Sequence, residues 1–473
     1  MVALSVRSFM RSGRAKIYFI LSLCLASFGY GMATVYWQVF PFTLLQNADR
    51  AWGALSVVAA DQSSRDLADS PDLTAPTILR HSDSAGDELI LVAGGKDYLK
   101  QHSPEHGCLA WIMDRQGNVV HVWHYDPEIW ARLERVATVP GQSRQVYPVG
   151  MHLYPNGDLL VSFQGYDVFP YGIGLAKFDK NSKLLWKKEL FCHHWFTVAP
   201  DGRIITPAVR SVDSPYQVGN TRFSISSPDS KVLADSVMIL DPQGNVLDEI
   251  VVLEAVIESG WAGLLPTLNA SEEGKRNHER FVIGSGMAGD PTHLNGIQLV
   301  DRALAAAHAG LNEGDLLLSL RNMNAIGILD PHTKRFKWMS AGACVQQHSP
   351  RFYENGVLVL DNRGGSAATG GSRLVLVDLD SHLPQTVFPK PENPLPGEFY
   401  TSSSGQFELG NSDRALMAIT LDNKIWEINL KTGQVLWEYV CVDALQHCFR
   451  SVSTAHYVGQ VNFTFNKQGE QRP

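Results

Sequence analysis

Charge is scarce in this chain. Of 473 residues only 19% are charged, the formal net charge is -8, and no basic tract follows the first residues. That argues against nucleic acid as a partner, because its binding needs a clustered positive footprint. No Gly-rich Walker-type loop is present to cradle a nucleotide phosphate. There are six cysteines, and none forms a pair with the close spacing of a zinc knuckle. Helical periodicity is also sparse beyond the N-terminus. Hydrophobic residues, by contrast, make up 44%, enough for a sizeable core and against wholesale disorder.

The N-terminus stands apart. Arg7, Arg11, Arg14 and Lys16 precede an uncharged stretch from Ile17 to Ala48. Its strongly apolar part, Ile17 to Phe40, would span about 36 Å as a helix, enough for a bilayer. The basic flank predicts a cytoplasmic N-terminus and an exported remainder, and Tyr36 and Trp37 suit the outer interface. An uncleaved signal anchor is expected over a cleaved signal peptide, whose apolar region is shorter, about 7–15 residues. The chain then divides into a basic segment 1–16, a transmembrane anchor 17–40, a polar linker or stalk 41–87 and a β-rich body 88–465. Cys24 lies in the anchor and five cysteines lie beyond it, so at least one of these is unpaired. Cys441 and Cys448 could pair across a short loop in an oxidising compartment. Cys192 reads as a buried, inert thiol.

The body consists of short apolar runs separated by turn formers, among them Leu89–Ala93, Leu159–Phe163 and Leu316–Leu320. A weak repeat joins an apolar strand, an Asp or Asn turn, and a second strand ending in Trp. Asp114 leads to Trp123, Asp179 to Trp186, Asp330 to Trp338, and Asn429 to Trp437; Asp241 opens the same kind of turn. Companion turns are Asn156-Gly157, Asp201-Gly202 and Asn355-Gly356, which accept the positive φ of tight hairpins. Turn-strand units recurring at intervals of roughly 50–90 residues suggest propeller blades, and about six fit the length. The expected fold is all-β, a six-bladed propeller behind an N-terminal transmembrane helix, with a pair of β-sandwiches as the alternative. Helical patterns at Val251–Leu264 and Val300–Ala309 read as insertions.

Three histidines occur in separate short motifs: Cys192-His193-His194-Trp195, Asp290-Pro291-Thr292-His293-Leu294-Asn295 and Gln346-Gln347-His348-Ser349. Arg321 lies between the last two. Equivalent strand ends of a propeller meet at one mouth of the channel, so residues this far apart in sequence could converge there. Neutral imidazoles with one guanidinium suit an anionic tetrahedral group such as a sulfate or phosphate ester. Three histidines can also hold zinc, but His193 alone stands at ligand-pair spacing from another of the three, and no metal is expected. Adjacent side chains of a strand alternate faces, so only one of His193 and His194 should face the channel, and His194 is preferred.

These motifs occur in a recognisable order. Asp290 to Asn295 comes first, then Gly314 to Arg321 as a Leu-rich strand ending Ser-x-Arg. Ile328-Leu329-Asp330, Lys337-Trp338, Gln347-His348-Ser349-Pro350-Arg351-Phe352 and Leu358–Asn362 follow. The set resembles the arylsulfate sulfotransferase family, bacterial enzymes that need no nucleotide sulfate donor, over roughly residues 185–440. The resemblance implies a six-bladed propeller and ping-pong sulfuryl transfer from an aryl sulfate donor to a phenolic acceptor without a cofactor. It implies His348 as the nucleophile, with His194, His293 and Arg321 on the sulfuryl oxygens and Asn295, with His193 beside His194, among the substrate-binding residues. Trp195-Phe196 departs from the polar or aliphatic continuation usual after the first histidine. Two other readings stay open: a membrane-tethered binding propeller without chemistry, and a quinoprotein-like propeller. Asn429–Trp437 resembles the tryptophan-docking unit of the latter, but only once, and the adjacent-cysteine pair is missing.

Overall fold

Five four-stranded antiparallel sheets and one of five strands form the body of the computed structural model. The residues it describes are 13–36, 40, 77–94, 108–124, 126–134, 137–138, 145–166, 168–221, 223–225, 227, 231–265, 289–362, 371–393, 395, 399–401, 404–420, 423–443, 448–449 and 452–466. The helix Gly13–Tyr36 belongs to one unit, Met1–Ser70, and the sheets to another, Pro71–Pro473. Within the helix, Lys16–Thr34 is apolar and long enough to cross a membrane.

From the inner strand outward, blade 2 is Gln145–Leu153, Leu159–Tyr166, Gly172–Phe178 and Leu184–Lys188. Blade 3 is Thr197–Val198, Ile204–Asp213, Lys231–Leu240 and Val246–Val251; blade 4 is Leu294–Leu299, Leu316–Leu320, Ala325–Asp330 and Arg335–Ala341. Blade 5 is His348–Tyr353, Gly356–Asp361, Arg373–Asp378 and Pro384–Phe388. Blade 1 takes its inner strand, Val452–Tyr457, from the C-terminal end, where it pairs with Ile90–Gly94; Cys108–Met113 and Val119–His124 complete it. Blade 6 is Gln406–Leu409, Arg414–Ile419, Lys424–Asn429 and Val435–Val440, and Ile78–His81, from the stretch read as linker, adds a fifth strand at its outer edge. The ring is therefore closed by strands from both ends of the body. Short helices at Val252–Glu258 and Arg302–Ala307 follow blade 3 and the inner strand of blade 4, where helical insertions were expected.

The core is distributed over the six seams. Phe163 packs with Ile112 between blades 2 and 1, Leu160 with Met238 between 2 and 3, and Ile205 with Leu318 between 3 and 4. Ile328 packs with Val359, Leu360 with Phe407, and Trp437 with Val92, across the remaining three. A blade cannot bury both faces alone, which is why its strands read as apolar runs rather than as clean alternation. The Asp-turn-Trp repeat has a local cause. The Asp carboxylate accepts backbone N–H groups of its own turn, as Asp114 does from Gln116 and Asn118. The Trp of one outer strand then donates into the corresponding turn of the next blade. Trp123 reaches the Asp179 carbonyl at 3.1 Å, Trp338 that of Leu379 at 2.9 Å, and Trp437 that of Arg115 at 2.9 Å.

The expected Cys441–Cys448 pairing falls on a side chain, Cys448, outside those described. Cys192 is fully buried, and burial pushes its thiol up to about 12, the inert state expected of it.

Candidate active site

Inner strands all begin at one end of a propeller, and each second strand returns to that end. His293 immediately precedes the inner strand of blade 4, and His348 is the first residue of the inner strand of blade 5. Arg321 follows the second strand of blade 4, so its backbone N–H donates to the His293 carbonyl at 3.1 Å. His194 lies in the approach to the inner strand of blade 3. All four residues meet. The His194 ring is 5.1 Å from that of His293 and 6.5 Å from that of His348. Arg321 donates to the Asn322 side chain at 2.8 Å and to Gln346, two residues before His348, at 3.2 Å.

The approach turns carry unusual backbone. His194, His293, Gln346 and Ser349 have φ of 51°, 49°, 54° and 52°, a left-handed region that costs non-glycine residues about 1–2 kcal/mol. Such strain is held only where surroundings over-determine it. The Ser162 hydroxyl donates to the His194 carbonyl at 2.6 Å, and a Cβ on Gly150 would lie 2.7 Å from that same oxygen. The left-handed turn also removes the strand alternation expected of His193 and His194. Their rings meet edge to face at 4.9 Å, with the two Nδ1 atoms 2.7 Å apart. His193 is fully buried behind His194.

His348 is 2% exposed. Its Nδ1 lies 2.7 Å from Oδ1 of Asn362, whose amide nitrogen donates to the carbonyls of Thr401 and Ser404 at 2.9 and 3.0 Å. Those two bonds fix the amide, so Oδ1 must accept and Nδ1 must carry the proton. Nε2 is left as a lone pair. Burial, with Arg321 next in weight, lowers the His348 pKa to about 3, so the ring is neutral near pH 7. Burial, with the neighbouring His193 next in weight, pushes His194 well below its ordinary value. His293 is oriented by Asp290, 2.5 Å from its Nδ1. Asn295 is fully buried, and its amide donates to the Gln347 carbonyl at 2.8 Å, bracing the peptide before His348. Among the described residues, no three His, Cys, Asp or Glu side chains are grouped to hold a metal ion.

Residues 150–442 match the family model described as arylsulfotransferase (ASST). The chain belongs to the arylsulfotransferase family. All four converging residues fall inside the matched span, as do Asn295 and His193. Among solved structures, a protein of unknown function from Bacteroides caccae is similar at a TM-score of 0.45 and 12% identity, covering 78% of this chain and 98% of that one. Virginiamycin B lyase from Staphylococcus aureus is similar at a TM-score of 0.32 and 11% identity, covering 64% of this chain and 75% of that one. No curated protein matches the sequence.

Beside these family motifs stand residues that sequence reasoning did not select. Tyr171, at the return between the second and third strands of blade 2, stacks on His293 at 5.5 Å; its buried hydroxyl has no hydrogen-bond partner among the described residues. Trp195, 5% exposed, sits 6.1 Å from the His348 ring. The Gln164 amide nitrogen is 3.2 Å from Nδ1 of His194. Asp235, fully buried in the third strand of blade 3, accepts from the Thr292 hydroxyl at 2.5 Å and the Leu294 N–H at 2.8 Å, on either side of His293. The position of Tyr171 at a second-to-third-strand return, the same place as Arg321, is the one signal that could have found it; Asn362, at the matching return of blade 5, ends the Leu358–Asn362 motif.

Proposed function

We propose that this propeller moves a sulfuryl group from an aryl sulfate ester to a phenol through a sulfohistidine at His348, with no nucleotide donor. Nε2 of His348 attacks sulfur, the bond from sulfur to the aryl oxygen breaks, and the aryloxide leaves. The phenol oxygen of the acceptor then attacks the same sulfur, the N–S bond breaks, and the phenol proton passes to a base in the site. The observation that carries this reading is the bond from Nδ1 of His348 to Asn362, which leaves Nε2 unprotonated beside His194, His293 and Arg321. A histidine is nucleophilic only when neutral, and the buried ring stays so. Sulfuryl transfer, like phosphoryl transfer, spreads negative charge over the equatorial oxygens, and positioned donors stabilise it. Arg321 supplies a planar fork whose charge is permanent. Asn295 acts through the peptide it braces.

The apolar stretch that begins at Ile17 and the four cations before it support a single-pass anchor with the N-terminus cytoplasmic and the propeller exported. The test is turnover of 4-nitrophenyl sulfate by detergent-solubilised full-length protein, with excess phenol and no nucleotide sulfate. A stoichiometric burst of nitrophenolate without phenol, steady release with it, and loss of both in His348→Ala are expected. No burst across several aryl sulfates with folded protein would leave a tethered binding propeller.

A further inference from the structure

We propose that His194, His193 and Asp235 form a proton relay that protonates the departing aryl oxygen and later takes the proton of the incoming phenol. This rests on the sulfuryl-transfer reading, which needs a proton at the aryl oxygen in one half-reaction and removes one in the other. It does not reuse His348, whose Nδ1 proton is committed to Asn362.

The three side chains come from neighbouring segments of blade 3. His193 is wholly buried, with Nδ1 2.7 Å from Nδ1 of His194 and Nε2 3.6 Å from Oδ1 of Asp235. Neither Nε2 of His193 nor Oδ1 of Asp235 has a hydrogen-bond partner among the described residues. Two nitrogens at 2.7 Å must share one proton, because two lone pairs or two N–H groups would repel. Two placements let the pair pass a proton to the site. In the first, His193 is an imidazolium facing Asp235. Its Nδ1–H donates to His194, whose Nε2–H is then the donor available to the site. In the second, His194 carries its proton on Nδ1 and donates to His193, Nε2–H of His193 faces Asp235, and Nε2 of His194 is bare. The Gln164 amide can turn to serve either form.

The two placements differ by one proton delivered at Nε2 of His194. As the aryloxide leaves, Nε2–H of His194 is given to the aryl oxygen, Nδ1 of His194 takes the proton from Nδ1 of His193, and the imidazolium becomes neutral. When the phenol attacks, its proton enters at Nε2 of His194 and the shift reverses, restoring the ion pair with Asp235. Electrostatics places the stored charge on His193. A fully buried carboxylate is costly without a counter-charge, and His193 faces its unpartnered oxygen. His194 is the poorer store, because burial and then His193, His293, His348 and Arg321 disfavour its charged form. The pair His293–Asp290 is the competing store.

The experiment compares phenyl sulfate, whose leaving oxygen needs a proton, with 4-nitrophenyl sulfate, whose leaving group is stabilised without one. The single-turnover rate of sulfuryl loss from each donor is measured in the full chain, its His193→Gln variant and its Asp235→Asn variant. General acid help contributes about 10²–10⁴-fold. In His193→Gln the phenyl sulfate rate should fall by about 100-fold more than the 4-nitrophenyl sulfate rate. This ratio is independent of the folded fraction. Equal losses with both donors, or none with either, would overturn the relay and move the proton to His293–Asp290. If neither variant folds, the unaltered chain decides: two protons in flight require a curved rate dependence on the deuterium fraction of the water with phenyl sulfate, and a straight line would overturn the relay. A missing burst in the unaltered chain would instead sink the sulfotransferase reading itself.

Discussion

The side-chain oxygen of Asn362 accepts the Nδ1 proton of His348 at 2.7 Å, and the Asn362 amide is itself pinned by two carbonyls of the loop before blade 6. The tautomer of the buried histidine is therefore set from a neighbouring strand end. Asn362→Leu should retain the fold and lose that control. The expected result is a burst slowed roughly 10–100-fold, because the ring then spends part of its time in the tautomer with no lone pair at Nε2, with little change in donor KM. Asn362→Asp should act differently. A carboxylate beside Nδ1 favours imidazolium, so the acid limb of the burst rate should move to higher pH. A burst unchanged in both variants would remove Asn362 from the mechanism.

Arg321 reaches two acceptors, Asn322 and Gln346, with separate nitrogens. Lysine at this position would keep the charge and lose the fork. Arg321→Lys should lower kcat/KM for the aryl sulfate by about 100-fold, the scale of one lost transition-state donor, while Gln346→Ala should cost far less. Similar losses in the two variants would mean that Arg321 acts mainly by holding the loop before His348.

Much of this arrangement was legible in the sequence. The Asp turns and their Trp partners carry the blade repeat because the next blade's turn carbonyl lies within reach of the outer-strand indole. His194, His293, Arg321 and His348 were visible because they sit at equivalent strand ends in short polar motifs. Three things were not legible. The strand Ile78–His81 looks polar because an outer-edge strand buries little, so it read as linker. Tyr171 lies at a strand return without a motif, and Asn362 ends the Leu358–Asn362 motif but carried no assigned role; only the ring of blades brings the two to the histidines. The left-handed turn at His194 rotates its ring onto His193, which no strand periodicity could show.

The seam between blades 6 and 1 is held by a buried ionic network. Glu427, fully buried, accepts from Arg115 and Arg414 at 3.0 Å each and from the Tyr457 hydroxyl at 2.9 Å, while Arg414 also binds Glu88 at 2.7 Å. Removing one member strands buried charge, which costs about 3–5 kcal/mol. Glu427→Ala should lower the urea midpoint accordingly and leave the burst rate of the folded fraction within about twofold, since stability and the chemical step are separate here. The hydrogen bond from Arg414 holds the Glu88 carboxyl down at about 2, from an ordinary 4.5. Its contribution is present above pH 4.5 and is lost as the pH falls towards 2. A variant as stable as the parent would show that the ring closes on its apolar seam alone.

Acid should weaken the fold earlier than this carboxylate does. Burial holds His348 at about 3, and His121 and His152 at about 4, against an ordinary 6.5. The unfolded chain therefore binds more protons than the native one between these values, so the stabilising effect of neutral burial is complete above pH 6.5 and falls away as the pH drops. For one fully shifted histidine the slope is about 1.4 kcal/mol per pH unit. Denaturant unfolding of His348→Gln should show a dependence between pH 6 and 4 that is shallower than the parent's by about that amount. Over the same range the parent's burst rate should not report protonation of His348, because the ring stays neutral until the pH approaches 3. An acid limb above pH 5 that persists in folded protein would belong to a group other than His348.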